Sequence, residues 1–117
     1  MRVNNDILFD KTTMGGTTKV VSKIINLSHI YTYALQYIAA GSSAAGSLQI
    51  YGSCDQGINE QGDGISNWAP IDSAVSISVL GTVIINKDAV GWKWLKAEYT
   101  PASGTGTFTL QINCKGN

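Results

Sequence analysis

Thr107-Phe108-Thr109-Leu110-Gln111-Ile112-Asn113-Cys114 is the stretch on which the fold turns. Phe108, Leu110, Ile112 and Cys114 share one parity, and Thr107, Thr109, Gln111 and Asn113 share the other. Successive side chains of a strand point to opposite faces, so strict alternation of this kind predicts a strand with one face in a core and one in water. Reading back toward the start, Pro101 to Gly106 is a turn. Before it, Trp92 to Tyr99 sets Lys93, Leu95, Ala97 and Tyr99 against Trp92, Trp94, Lys96 and Glu98. Val83 to Ile85 is a short run, and Gly81 separates it from Val75, Ile77 and Val79, which alternate with Ser76 and Ser78. Trp68 to Ile71 is another short strand, and Leu48 to Cys54 places Leu48, Ile50 and Cys54 on one face. Tyr31 to Ala40 has Tyr31, Tyr33, Leu35, Tyr37 and Ala39 on one parity, and Val20 to Leu27 is the first run.

Turn clusters separate these runs, such as Gly41-Ser42-Ser43-Ala44-Ala45-Gly46, and no stretch carries an apolar stripe at helical spacing with caps. About eight short strands with turn signals between them predict an all-β, antiparallel, two-sheet β-sandwich of jelly-roll-like form. The period-2 positions nominate Leu35, Leu48, Ile50, Leu95, Phe108, Leu110 and Ile112 as core. The chain has 117 residues, the size of one domain. Residues 1–18 are polar and glycine-containing and are expected to form a flexible arm, leaving 19–117 as the sandwich. Within the arm Ile7, Leu8 and Phe9 make a short apolar patch that a neighbouring protein could cover.

Charged residues are 14% of the chain, against about 25% in an average domain. Either part of the surface is covered in the working state, or Ser, Thr, Asn and Gln replace charges. Eight basic and eight acidic residues balance to zero, so the basic footprint that nucleic-acid binding needs is missing. Nothing points to an anionic membrane, and no apolar run reaches the roughly 18 residues of a membrane span. Met1 to Lys11 has no basic end followed by an apolar run, which argues against a secretory signal and for folding in a cytoplasm. Cys54 and Cys114 are then expected to be reduced and buried.

Signals for chemistry are sparse, and neither catalysis nor a cofactor is predicted. His29 is the only histidine and sits in a turn, and no serine lies in a GxSxG setting. One histidine and two distant cysteines do not make a zinc site. Asp55, Glu60 and Asp63 share the long loop from Asp55 to Asn67. That loop is either solvated or a loose calcium or glycan site, and its spacing does not match an EF-hand. Trp92 and Trp94 either present an aromatic face to a ligand or partner, or cover the end of the core.

Several segments resemble one group of proteins. Ser47-Leu48-Gln49-Ile50-Tyr51-Gly52-Ser53 followed by Asn67-Trp68-Ala69-Pro70-Ile71 is similar to a strand–loop–Trp signature of small phage sandwich proteins and discoidin-like modules. Ala89 to Thr100 looks like their aromatic strand, Ser103 to Gly116 like the closing strand of the phage group, and Tyr33 to Gly41 like its early strand. The resemblance runs from Leu27 to the end, and the loop Asp55 to Gly64 is longer than in that group. It implies a virion structural protein: a capsid decoration, neck or tail accessory component, present in many copies or as a homo-oligomer and contacting other virion proteins. Ile7, Leu8, Phe9, Trp92 and Trp94 are the expected partner contacts. The rival reading is a carbohydrate-binding module for host attachment.

Overall fold

The computed structural model describes residues 3–15, 18–28, 30–41, 45–57, 64–78, 82–88 and 90–116. These hold β1 (Val3–Thr13), β2 (Val20–Val21), β3 (Ile25–Asn26), β4 (Thr32–Gly41), β5 (Ala45–Ser53), β6 (Ala69–Ser78), β7 (Thr82–Lys87), β8 (Trp94–Ser103) and β9 (Gly106–Lys115). They form two antiparallel sheets. The first has the order β1-β9-β4-β7, and the second has β2-β8-β5-β6 with β3 also on β8. β2 and β3 lie along the same edge, interrupted near Ser22. There the Ser22 N–H donates to the Ala97 carbonyl and the Ser22 hydroxyl accepts from the Ala97 N–H, both at 2.8 Å. A side chain thus supplies the pairing that the diverging backbone cannot. Counted as one broken strand, β2 and β3 bring the total to eight, in the order of a jelly roll.

The core lies between the sheets and contains every residue nominated from the period-2 pattern. Its aromatic centre is a run of three rings. Phe9 lies 5.0 Å from Phe108, and Phe108 lies 4.7 Å from Tyr99, centroid to centroid. The Tyr99 hydroxyl donates to the Met14 carbonyl at 3.0 Å, and burial pushes that phenol's pKa up. The inward face of β5 reads Gly46, Leu48, Ile50, Gly52. A methyl group at Gly46 would overlap the Tyr99 hydroxyl, and one at Gly52 would meet the Trp92 ring at 2.7 Å. These two glycines leave room for the aromatics that close each end of the core.

Four expectations are corrected. Residues 3–13 are not an arm outside the sandwich but its edge strand β1, paired along β9 from Asn5↔Asn113 to Thr13↔Thr107. Leu8 and Phe9 are core residues, because register shifts between Ile7 and Phe9 and between Phe9 and Thr12 let two consecutive side chains turn inward. The two short runs around Trp68 and Val75 are one strand, β6, bent at Asp72, where φ is 61°. The Gln49 amide bridges that bend, donating to the carbonyls of Ile50 at 3.0 Å and Asp72 at 3.1 Å. Cys54 is exposed because the chain has left β5 by that point, whereas Cys114 is buried as expected, and no disulfide joins the two.

Candidate functional site

The register of the first sheet assembles a face that no single strand reveals. Ile7 pairs with Gln111, Gln111 with Gln36, and Gln36 with Ile84, so one cross-strand row reads Ile, Gln, Gln, Ile. One row away Asn5, Asn113, Ala34 and Asn86 line up, and on the other side Thr109, Ile38 and Thr82 do so. All point away from the core, being opposite in parity to Leu35, Leu110 and Ile112. Ile7, Ile38 and Ile84 are 45%, 42% and 59% exposed. None of these eleven positions is ionisable.

The face forms an open trough of about 940 Å³ running from β1 toward Ile84, with Ala34, Gln36 and Gln111 among the residues lining it. Charge enters only at the β1 rim. Asp6 there pairs with Lys23 at 2.5 Å, and the hydrogen bond from Lys23 holds the Asp6 carboxyl below its ordinary range. Asp10 also lines the trough, and Lys11 lies against the face at this rim, its backbone N–H donating to the Thr109 hydroxyl at 3.1 Å.

The outer face of the second sheet is different in kind. The Lys96 ammonium sits over the Trp68 ring at 4.7 Å and the Tyr51 ring at 5.6 Å, and pairs with Glu98 at 3.3 Å. Lys19 approaches Glu98 from the other side at 3.1 Å. Burial pulls the Glu98 pKa up, but the two lysines outweigh it and hold the carboxyl below its ordinary value. Trp94 points outward from β8 yet is fully buried, because the loop after β5 folds over it. Its indole N–H donates to the Asp55 carbonyl at 2.8 Å, and Lys93 stands 5.0 Å from its ring. The Asp55 carboxylate accepts from the backbone N–H groups of Asn67 at 2.9 Å and Ser66 at 3.1 Å, which lower its pKa and clasp the two ends of the loop.

Of the five expected contact residues, only Ile7 stands on an open surface. Leu8 and Phe9 are in the core. Trp94 is under the loop. Trp92 caps one end of the core, edge-on to Tyr33 at 6.2 Å, which is the end-covering alternative. Ile38, Ile84, Gln36 and Gln111 complete the face, and sequence reasoning misses them. The alternation places Gln111 on the polar side of its strand, but only the register across strands brings it beside the others. His29, Glu60 and Asp63 lie outside the described residues. Among the described residues no three His, Cys, Asp or Glu side chains gather where they could hold a metal ion.

No protein-family model and no curated protein matches the chain. Its fold has counterparts among solved structures. A structure of infectious bursal disease virus, Gx strain, contains a chain that matches 97% of this one at 11% identity and a TM-score of 0.51. The present chain spans 31% of that chain's length, about a third. The mitogen of Yersinia pseudotuberculosis matches over 99% of this chain and 88% of its own, at 12% identity and a TM-score of 0.48. The SPBc2 prophage-derived protein YomS matches over 97% and 96%, at 12% identity and a TM-score of 0.45. At such identities the likeness is one of fold alone.

Proposed function

We propose that this domain is a structural component of a virus particle, a capsid decoration or a neck or tail accessory piece. On this reading it is made in the host cytoplasm and acts through contacts with other virion proteins rather than through catalysis. The observation that carries the reading is the outer face of the first sheet. It is broad, free of ionisable groups across β9, β4 and β7 with charge confined to the β1 rim, and carries exposed isoleucines among amides and hydroxyls. Protein interfaces are depleted of charge at their centre and mix apolar with uncharged polar groups in this way. A chain of the same fold in a virus structure gives the proposal its setting.

The attachment-module reading draws less support. Sugar binding by stacking needs open aromatic faces, and Lys96 already occupies those of Tyr51 and Trp68. The Asp55 carboxylate is engaged by its own loop rather than free for a cation. Immunogold labelling with an antibody to the domain, on particles purified from cells that produce them, tests the proposal. Label on the particles is expected. The domain remaining in the unsedimented fraction, together with tight calcium-dependent binding on a glycan array, would replace the structural reading with the attachment reading.

A further inference from the structure

We infer that the outer face of the first sheet is the docking surface for a second copy of this chain, stacked face to face about a twofold axis lying in the interface. The central row is palindromic. Ile7, Gln111, Gln36 and Ile84 read the same from either edge of the sheet. A twofold axis parallel to the strands therefore sets Ile7 of one copy opposite Ile84 of the other, and Gln111 opposite Gln36. Isoleucine meets isoleucine at both edges, and amide meets amide in the middle. A twofold interface requires this self-complementarity. A glutamine amide both donates and accepts, so a central pair of rows can satisfy itself.

Shape and charge agree with the chemistry. A twisted sheet is a saddle, with a trough along one diagonal and a ridge along the other. An in-plane twofold lays the ridge of one copy along the trough of its mate, which is how twisted sheets stack in sandwiches. The trough lined by Ile7, Gln111, Gln36 and Ile84 lies on this face. Because the outward positions of β9, β4 and β7 in these rows carry no ionisable group and the chain has no net charge, no like charges meet at the centre. The Asp6–Lys23 pair and Asp10 stay at the rim, where water still reaches them.

Strand spacing near 4.8 Å and a two-residue repeat near 6.8 Å make the three rows of the four-stranded face roughly 400 Å² in projection. Standard interfaces bury about 800 Å² per partner, so the expected dimer is weak and reversible. The inference does not rest on the virion reading: a dimer is compatible with a particle component and with an attachment module alike.

Sedimentation velocity of the full chain from about 1 to 500 μM tests it. The wild type should shift from monomer to dimer with concentration. Ile84→Lys, at a position 59% exposed, should keep its melting temperature and raise the dimer Kd at least tenfold. Val21→Lys, 51% exposed on the edge of the other sheet, should leave both unchanged. A wild type that stays monomeric throughout would overturn the proposal. So would Ile84→Lys dimerising as well as wild type, or Val21→Lys alone abolishing the dimer.

Discussion

Phe9→Ala separates a sandwich that includes residue 9 from one that begins after it. The Phe9 ring is 4% exposed and packs against Phe108, which in turn packs against Tyr99. Truncation removes the transfer free energy of a buried aromatic and leaves a cavity beside two rings held by their own neighbours. Together these cost about 3–5 kcal/mol. For a domain of this length, an unfolding entropy of about 2.1 cal/mol/K per residue gives roughly 0.25 kcal/mol/K, so the melting temperature should fall by about 12–20 °C. Denaturant melts followed by tryptophan fluorescence would give the free energy, and calorimetry the temperature. Phe9→Leu, which keeps most of the apolar volume, should recover more than half of the loss. A Phe9→Ala change below about 0.5 kcal/mol, the range of exposed positions, would refute the placement of β1 in the fold.

Ser22→Ala should cost about 1–3 kcal/mol in denaturant melts, because the Ala97 N–H loses the acceptor that replaces strand pairing where β2 breaks from β3. Gly46→Ala should destabilise by about 1–3 kcal/mol through overpacking against Tyr99, seen as a lower midpoint with an unchanged denaturant slope. Glu98 is held below its ordinary value of 4.5, so its contribution to stability is present above that pH and is lost as pH falls through the folded value. The stability gap between wild type and Glu98→Gln, measured by urea melts, should therefore be widest well above pH 4.5 and narrow progressively as the pH falls below it. Tyr33 is pushed far above its ordinary value of 10.0 by burial, with the charges of Asp72 and Cys114 adding to it. The stability linked to its neutral form is fully present below about pH 10 and is lost as pH rises beyond it, so Tyr33→Phe should flatten the pH dependence of thermal melts between about pH 10 and 11.5.

The alternation from Thr107 to Cys114 is legible in the sequence because β9 runs without a bulge against β4 over ten paired residues. Ile7-Leu8-Phe9 is not, because two bulges put neighbours on the same side and give the run no period. Trp94 obeys strand parity and points out of the sheet, yet ends up buried, since a loop that begins 39 residues earlier in the chain closes over it. Cys54 fails the parity argument for a simpler reason: the strand ends one residue before it. The candidate face is the least legible feature. Ile7, Gln36, Ile84 and Gln111 come from four strands, and their adjacency depends on long-range register that local pattern does not encode.

The pairing of β1 with β9 also bears on how the protein is made. Roughly 90 residues separate the end of one strand from the start of the other, and a ribosome adding about 5–20 residues per second takes about 5–18 s to cover them. Throughout that interval Leu8 and Phe9 are apolar groups on a nascent chain whose partner strand does not yet exist. β4 differs, since its other neighbour, β7, comes earlier in the chain than β9. β1 therefore joins the rest of the fold only once β9 has emerged, because β9 is the strand it pairs with.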